Sequence, residues 1–555
     1  MAMLDVPSTF PTIRSAIEAA MDGDQIYIAA GTYDIRDLFA AGDKLAPPTF
    51  AYTTNLGCLT GFTTVTTLMY SGDVGGSTYN PITKITGNAR LFVSNQDSRP
   101  PVQITFDNLE FECSSASSNY LFQTGQFNQN EAQTLTDVIS LNNVKFTGTH
   151  VGNAGANGNY MAVIGIEQFG LSDSVVELTG QSGFTGTQAM TGGSSFLLLQ
   201  GGKVDGGSLV INGSKFDESG YRNGLSIFDS LSVNVGTNSF YRSNAATRYA
   251  RSRMVSGAER FNVGNKISNS NGSMSGNNFY DGSYLVLERT TGNTSALNIS
   301  GTHFHQWDAS VSPSPTPIIG GGAVGISLEG TSGATYPSFS GNFFDYVNPI
   351  NNYTTAVSNI VSGGSQITNP STNTRVNIST FRAGGTGNDV ITGSNNTNEW
   401  FNGGTGNDQI NTGFGTSNPD YVFFNTALNA STNVDTVTNL NLASSLTGDR
   451  IVLDRKYFPG ITAHFNSGAG VVGGVGAISA NDILNDTTDT TTDPTKRLVY
   501  NRNTGSLLYN PVGSTVAGDE ILFARLFSDH PGTTAAADLI GFTAANASTV
   551  NISII

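Results

Sequence analysis

Apolar and polar residues alternate in short blocks that recur over roughly the first 380 residues of the chain. Each block has alternating apolar residues, then Asn or Gly, then Phe three positions later. Alternation turns one face of a strand inward, and Asn and Gly tolerate the left-handed backbone of a sharp bend. The blocks end at Phe111, Phe146, Phe216, Phe304 and Phe344, with weaker copies at Phe184, Phe240 and Phe279.

The recurrence of these blocks predicts an all-β fold made of stacked coils, a parallel β-helix. Stacking would align the phenylalanines in one interior column and the bend residues in another. An antiparallel sandwich also alternates and turns, but it does not require the Asn/Gly-x-x-Phe repeat. The β-helix is therefore favoured, with the sandwich as its alternative.

The beginning of the chain carries a second signal. Apolar residues recur at helical spacing between Ile13 and Ala20 and predict a short amphipathic helix. Ile26 and Ile28 then alternate on a strand, which ends at the Gly-Thr-Tyr run of 31–33. This opening resembles pectate-lyase-like right-handed parallel β-helices, in which a short helix caps the first coil.

Two glycine-rich nonapeptides, 384–392 and 403–411, match the pattern Gly-Gly-x-Gly-x-Asp-x-apolar-x, with Ile391 and Ile410 in the apolar position. Calcium takes roughly six to eight oxygen ligands, and such turns offer inward carbonyls beside a carboxylate. An ordinary pair of Gly-Asn-Asp turns is the alternative. The predicted ligands are Asp389 and Asp408 with the carbonyls of Gly385, Gly387, Gly404 and Gly406, and the further candidates are Asn388, Asn407, Glu399 and Asp420.

The nonapeptides and the residues after them resemble the RTX family of type I secreted proteins. The downstream similarity lies in 421–430, 433–438, 448–453 and a final hairpin over 497–509. The resemblance implies Ca²⁺ as the cofactor, folding coupled to that metal, and an uncleaved C-terminal secretion signal. We therefore expect an extracellular or cell-surface protein.

These patterns predict three regions. A parallel β-helix with its capping helix occupies 1–380, the calcium-binding repeats occupy 381–425, and a smaller C-terminal β domain with the secretion signal occupies 426–555. The expected fold class is thus a β-helix followed by an RTX-type β-roll.

Charge and composition exclude several classes of binding partner and site. The net charge of −16 argues against nucleic acid, which requires a basic face. The only two cysteines, Cys58 and Cys113, exclude a disulfide framework and a cysteine-based zinc cluster, while their own pairing stays open. No apolar stretch reaches about eighteen residues, so no membrane span is predicted. The first five residues do not begin a cleaved signal peptide.

Catalytic signals are sparse. A β-helix followed by RTX repeats resembles secreted alginate epimerases and polysaccharide lyases, but the Asp-Pro-His-Glu motif of those epimerases is absent. His303 and His305 flank Phe304, so both point outward. They are either two exposed histidines or, with Trp307 and Asp308, a small site for a sugar or a metal. Acidic residues also follow the phenylalanines closely, although nothing in the sequence pairs them: Asp217, Glu218, Asp281 and Asp345.

Five arginines cluster between residues 242 and 260, where they could grip acidic polysaccharide, contact another subunit or only solubilise a loop. We favour a secreted, calcium-dependent structural protein that assembles with itself into a surface layer or filament. An enzyme acting on acidic cell-surface polysaccharide and an adhesin or tail-spike-like glycan-binding module are the alternatives. The clustered arginines are Arg242, Arg248, Arg251, Arg253 and Arg260.

Overall fold

The computed structural model divides the chain into two compact units, Met1–Phe279 with Ser295–Asn298, and Tyr280–Thr294 with Ile299–Ile555. The predicted boundaries at 380 and 425 stay predictions. The structure describes residues 2–21, 23–34, 67–73, 82–87, 91–93, 103–113, 122–124, 138–149, 161–166, 168–179, 195–201, 208–217, 223–228, 232–241, 265–280, 283–290, 293, 296–305, 324–330, 336, 339–345, 347–369, 374–415, 418–441, 448–461, 463–464, 476–478, 482–511, 514–527 and 552–555.

Three sheets build the first unit, and every strand pairing described within them is parallel. From residue 67 onward the chain visits the three sheets in turn, so it winds as a parallel β-helix and the sandwich alternative is wrong. The first sheet contains Met3–Val6, Gln25–Ile28, Thr67–Gly72, Gln103–Asp107, Val138–Asn142, Gln168–Ser172, Ser208–Asn212, Val233–Gly236 and Gly272–Ser275. The second contains Gly31–Asp34, Thr83–Gly87, Glu110–Cys113, Lys145–Thr149, Val175–Thr179, Lys215–Asp217, Ser239–Tyr241 and Asn278–Phe279. The third contains Leu91–Val93, Phe122–Thr124, Met161–Ile166, Ser195–Gly201, Asn223–Phe228 and Asn265–Ser268.

The predicted N-terminal helix is present as Ile13–Ala19. Thr12 caps it by accepting a hydrogen bond from the backbone N–H of Ser15, which satisfies a donor that a helix start leaves free. The helix buries Ile13 and Ile17 and contacts the first two strands. Its apolar stripe therefore covers the beginning of the first sheet, as the resemblance to capped β-helices implied.

The bends between strands lie at the predicted Asn and Gly residues. In the first unit φ is 58° at Asn108, 50° at Asn143 and 63° at Gly213, and in the second unit it is 57° at Gly301 and 62° at Gly341. These values fall in the left-handed region, which costs most residues about 1–2 kcal/mol but Asn and Gly much less. The repeated Asn/Gly position is thus a bend, as predicted.

The phenylalanine column is also confirmed. Phe216, Phe240 and Phe279 are buried and stack one above another, with ring centroids 4.9 and 4.8 Å apart. In the second unit Phe304 and Phe344 stack at 5.0 Å. Phe184, one of the weaker predicted copies, lies outside the described residues, and its predicted place in the column is wrong, because Val176 occupies the position between Phe146 and Phe216.

A second interior column, the polar ladder, follows the bend residues and consists of Ser174, Ser214, Asn238 and Asn277, all fully buried. Each side-chain oxygen accepts a backbone N–H from the coil before it, as Asn277 Oδ1 does from Asn238 at 3.0 Å. The Asn277 amide group also donates to the Val235 carbonyl at 2.8 Å. Every rung therefore satisfies buried polar groups without help from solvent.

The second unit continues with parallel pairs and adds a few antiparallel ones, including the predicted hairpin of Leu498–Asn501 with Ser506–Tyr509. One sheet contains Leu297–Ser300, Phe339–Ser340, Ser358–Gly363, Thr380–Ala383, Glu399–Asn402, Tyr421–Phe424, Arg450–Leu453, Ala463–His464, Gly476–Ile478 and Ile552–Ile554. The next contains His303–His305, Phe343–Asp345, Gln366–Asn369 and Thr374–Asn377. A third contains Leu285–Arg289, Val324–Gly330 and Asn348–Asn352. The last contains Val390–Thr392, Gln409–Asn411, Asp435–Thr438, Ile483–Asp486, Leu498–Asn501, Ser506–Tyr509 and Ile521–Leu526.

The core of the second unit lies beneath the glycine-rich turns. Ile391 and Ile410, the apolar residues of the two nonapeptides, are each 1% exposed and belong to a hydrophobic cluster with Val437. Their burial fixes the strands that follow the turns, so the acidic residue just before each strand is held at a defined position. This is how the fold positions the predicted calcium ligands.

Candidate functional site

Three acidic residues line up where the chain enters three neighbouring strands, and we call Asp389, Asp408 and Asp435 the first carboxylate column. The strand register pairs residue 390 with 409 and residue 409 with 436. The Asp408 carboxylate accepts the backbone N–H of Asp389 at 2.8 Å, and the Asp435 carboxylate accepts that of Asp408 at 3.1 Å. The carboxylates of Asp408 and Asp435 therefore each bond the backbone of the coil before them.

Burial makes this column electrostatically costly. It is the main cause that raises the pKa of Asp408 to about 6, and the charge of Asp389 adds to it. Burial, followed by the charge of Asp408, likewise raises the pKa of Asp435 well above its usual value. Within the described residues, Asp408 Oδ2 is buried and has no hydrogen-bond partner. Full ionisation of the column is therefore unfavourable, and Asp408 Oδ2 has no donor within the described residues unless the facing Asp435 carboxyl is protonated.

The open side of the column faces a glycine. A Cβ placed on Gly403 would lie 2.5 Å from Asp408 Oδ2 and 2.8 Å from Asp435 Oδ2. The two oxygens thus converge on one patch of backbone that only glycine leaves clear. This cradle and the unpartnered oxygen fit a cation with oxygen ligands.

The predicted glycine ligands lie in the turns beside the column. Gly387, Gly404 and Gly406 have φ values of 115°, 90° and 139°, which explains why these positions need glycine. The Gly385 carbonyl accepts a hydrogen bond from the Thr405 N–H at 3.1 Å, which leaves a second lone pair. Their role as calcium ligands stays a prediction.

The two asparagines of the nonapeptides form a separate, exposed ladder. Asn388 Oδ1 accepts the backbone N–H of Asn407 at 2.8 Å, and Asn407 Oδ1 accepts that of Val434 at 2.8 Å. These oxygens already hold the coils together. The arrangement resembles the polar ladder of the first unit more than it resembles a ligand set.

A second carboxylate column, made of Glu399, Asp420 and Asp449, precedes another set of strands. Asp420 accepts the backbone N–H of Glu399 at 2.8 Å, and Asp449 accepts that of Asp420 at 2.9 Å. Burial first, and then the charge of Asp449, raises the pKa of Asp420 to about 9, and burial raises the pKa of Asp449 to about 7. The two predicted candidates Glu399 and Asp420 thus belong to one column.

Glu399, the first residue of this second column, forms an ion pair with Arg382. Arg382 donates from Nη2 to Glu399 Oε1 at 2.7 Å and from Nε to Oε2 at 3.0 Å, and the Glu399 side chain is 1% exposed. A bidentate guanidinium supplies positive charge and fixed geometry together. One buried carboxylate is therefore neutralised by the chain itself.

A different kind of site lies on the sheet that contains His303–His305. Four neighbouring strands place His305, Asp345, Thr368 and Arg375 side by side, because His305 pairs with Asp345 and Thr368 with Arg375. The pairing of Phe344 with Ile367 brings Asp345 next to Thr368. We call these four residues, with His303, the histidine–aspartate row.

Asp345 is the centre of the row. His303 Nε2 lies 2.5 Å from Asp345 Oδ2, His305 Nδ1 lies 3.8 Å from the same oxygen, and the Thr368 hydroxyl donates to Oδ1 at 2.5 Å. Arg375 Nη2 lies 3.4 Å from Oδ2. Burial opposes ionisation of Asp345, but the hydrogen bonds from His303 and Thr368 outweigh it and lower its pKa to about 2.

The second histidine is held neutral. Burial, followed by the charge of His303, lowers the pKa of His305 to about 3. Its ring stacks on Tyr280 at 4.5 Å and lies 3.6 Å from the His303 ring, measured between centroids. Both histidines point to the outer face as predicted, but they are partly buried and bonded into a cluster.

Several predicted residues cannot be compared with the structure. All five clustered arginines, Trp307 and Asp308 lie outside the described residues. Conversely, sequence reasoning missed Asp435 and Asp449, although each is an acid two positions before a buried apolar residue, as Asp408 is before Ile410. It also missed Thr368 and Arg375, for which no sequence signal exists without the strand register.

Comparisons with known proteins add little. No family model matches the chain, and no curated protein does. Among solved structures, a variant of the PL6-family alginate lyase AlyGC is similar over 83% of this chain and 73% of that chain, at 10% identity and a TM-score of 0.25. That likeness is too slight to argue from. The described part of the chain has no helix with the length and hydropathy to cross a membrane.

Proposed function

We propose that this chain is an extracellular calcium-binding protein whose second unit is stabilised by Ca²⁺ along the two carboxylate columns. The observation that carries the proposal is the buried, unpartnered Asp408 Oδ2, which converges with Asp435 Oδ2 on the backbone of Gly403. Carboxylate and carbonyl oxygens are the ligands that calcium prefers. Burial disfavours the ionised form of these carboxylates, and their charges repel one another. Bound Ca²⁺ would offset both effects.

Calcium binding of this kind is coupled to folding. The column exists only when three coils are stacked, so the ion binds the folded chain and not the unfolded one. A ligand at about 100 times its dissociation constant then adds about 2.7 kcal/mol per site to the stability. Sites of modest affinity suit an extracellular protein, because calcium there is abundant.

The test is the thermal unfolding of the full-length protein in calcium and in EGTA. We expect chelation to lower the Tm of the second unit by several degrees, and Asp408→Asn combined with Asp435→Asn to remove most of that difference. Asp519→Asn, a change at an exposed carboxylate, is the matched control. Equal melting of the unmodified protein with and without calcium would contradict the proposal.

Assembly into a surface layer or filament of identical copies is the finer part of the proposal. Its support is an outward row of the first sheet in which five successive described positions have no charged residue: Thr105, Ser140, Gly170, Val210 and Asn234. Identical copies meet such a face without charge repulsion. We expect calcium-dependent polymers in electron micrographs, lost in Val210→Glu and kept in Val210→Thr. A monomer at high concentration in calcium would refute this part.

The histidine–aspartate row favours a second candidate, action on an acidic polysaccharide. The Arg375 guanidinium lies 4.4 Å from the Phe343 ring centroid and its side chain is 43% exposed, so it can pair with a uronate carboxylate. The imidazole of His303, next to the Asp345 carboxylate, could take up and return a proton.

Incubation with a polyuronate, followed by chromatography of chain length and ultraviolet absorbance of unsaturated ends, tests this candidate. We expect Arg375→Gln to reduce turnover about tenfold or more, as loss of a charge-assisted pair would. Gln366→Ala, on the same sheet, should change it little. If the protein neither binds nor shortens any uronate polymer, this candidate is excluded, and the calcium proposal is unaffected.

A further inference from the structure

We infer that His303, His305 and Asp345 form a binding site for a first-row transition-metal ion such as Zn²⁺ or Co²⁺. His303 and His305 are two positions apart on one strand, so both rings project from the same face of the sheet. Asp345 is the direct neighbour of His305 on the adjacent strand. One nitrogen from each ring and one carboxylate oxygen all lie within 4.8 Å of one another.

This spacing is close to that of a coordination sphere. Zinc binds nitrogen and oxygen at about 2.0–2.2 Å, which places neighbouring ligand atoms about 3–3.5 Å apart in a tetrahedral site. His303 Nε2 and His305 Nδ1 lie 2.5 and 3.8 Å from Asp345 Oδ2. Small side-chain rotations are therefore enough to bring the three donors around one ion.

The donor set determines the class of ion. Two imidazoles with one carboxylate suit Zn²⁺, Co²⁺, Ni²⁺ or Cu²⁺, whereas Ca²⁺ prefers oxygen ligands alone. The inferred site is thus chemically distinct from the carboxylate columns. It would be filled by a different metal even in a large excess of calcium.

Neighbouring groups already hold the ligands in place. The Thr368 hydroxyl donates to Asp345 Oδ1, which leaves Oδ2 directed at the histidines. Tyr280 packs flat against the His305 ring and fixes its plane. Groups that orient the ligands in this way contribute substantially to the affinity of metal sites.

Two donors already face the Asp345 carboxylate, because His303 Nε2 lies 2.5 Å and Arg375 Nη2 lies 3.4 Å from Asp345 Oδ2. A metal ion bound through the Nε2 lone pair of His303 would take the place of the proton in this contact, with Arg375 moved toward solvent.

Arg375 therefore acts as a competitor for the metal. Its guanidinium contacts two of the three proposed ligands, and its partly exposed side chain is free to turn away. The inference goes beyond calcium binding and competes with the proton-transfer role considered for His303, because a histidine bound to metal does not carry that proton.

The experiment uses full-length protein in excess calcium, titrated with Co²⁺ by visible absorption and with Zn²⁺ by calorimetry. We expect one ion per chain at this site. His303→Ala and Asp345→Asn should each weaken it by more than about 100-fold, since loss of an orienting group alone costs about 10–100-fold. Thr368→Val should weaken it about tenfold. Arg375→Gln should tighten it about tenfold, as loss of a charged competitor predicts.

His464→Ala, which removes a histidine from a different strand, should leave Co²⁺ binding unchanged. Co²⁺ binding that is absent, or equal in Asp345→Asn and the unmodified protein, would overturn the inference. Circular dichroism identifies a variant that fails to fold, and the gain expected for Arg375→Gln then decides the question. Absence of Co²⁺ or Zn²⁺ binding would leave the calcium proposal unaffected, because that proposal is tested by the melting temperature in EGTA.

Discussion

The polar ladder of the first unit and the first carboxylate column of the second unit have the same backbone geometry. In both, the residue before a strand accepts a backbone N–H from the coil before it, as Asn277 does from Asn238 and Asp408 does from Asp389. They differ in the second polar atom of the side chain. The amide nitrogen of Asn277 donates to a carbonyl, whereas Asp408 Oδ2 is a buried acceptor that meets no donor in the described structure.

That single difference separates a self-sufficient ladder from the proposed cation site. An amide offers a donor and an acceptor, and an ionised carboxylate offers only acceptors. Stacked amides therefore stabilise a coil unaided, while stacked carboxylates repel each other until a positive charge arrives. The backbone geometry is shared, and we propose that this one side-chain atom decides whether a rung is stable without a metal ion.

The most damaging change would place a carboxylate in the amide ladder. Asn277→Asp removes the donor to the Val235 carbonyl and buries a charge, which should cost about 3–5 kcal/mol of unfolding free energy. Urea denaturation at neutral pH measures it. Asn234→Asp, the same change at an exposed position of the first sheet, should alter stability by less than about 0.5 kcal/mol. Similar costs for both variants would contradict the comparison.

The second carboxylate column already contains a positive charge, so removing that charge is a further test of whether a buried carboxylate requires one. Arg382→Gln removes the bidentate partner of the buried Glu399 and should destabilise the calcium-free protein by about 3 kcal/mol. Arg382→Lys keeps the charge but loses the fork, so it should cost less. Denaturation in EGTA measures both variants, and an Arg382→Gln protein as stable as the unmodified one would show that the pair is dispensable.

Asp408→Asn should convert one rung of the column into an amide rung. In EGTA the variant should be more stable than the unmodified protein by about 1–2 kcal/mol, because a buried acceptor without a donor is replaced by a group able to donate. In calcium the order should reverse. Melting curves under both conditions measure the crossing, and a loss of stability in EGTA would argue against repulsion as the cost of the column.

The smallest effect is expected at the exposed margin of the first sheet. Asn142 donates to Asp107 at 2.8 Å and accepts from the Ser172 hydroxyl, but it is exposed to solvent. Asn142→Ala should therefore change stability by only about 0.5 kcal/mol. A cost near that of Asn277→Asp would mean that stacking itself, and not burial, provides the stabilisation of such ladders.

The sequence was most informative where one coil repeats the next. The Asn/Gly-x-x-Phe block encodes a bend and an inward side chain within a few residues, so bends at Asn108 and Gly213 and the stacked Phe216 could be predicted. The nonapeptides likewise placed Asp389 and Asp408 in successive coils. Local pattern and local structure coincide in both cases.

Contacts between distant residues were not accessible in the same way. Asp435 follows Asp408 by 27 residues, whereas Asp408 follows Asp389 by 19, so the column continues out of register with the sequence repeat. Asp345 meets His303 across 42 residues, and Arg375 reaches the row on an antiparallel strand. Only the strand register, which depends on loops of unequal length, brings these side chains together.

The phenylalanine column has a consequence for how such a chain can change over generations. The rings of Phe216, Phe240 and Phe279 repeat every 4.8–4.9 Å, the spacing of neighbouring strands in a sheet. At this position, three successive coils therefore present the same ring to the coil before and the coil after. A coil duplicated or deleted within this stretch would meet a ring that already fits it, so a gene segment of one turn could be copied or lost there while the column stays continuous.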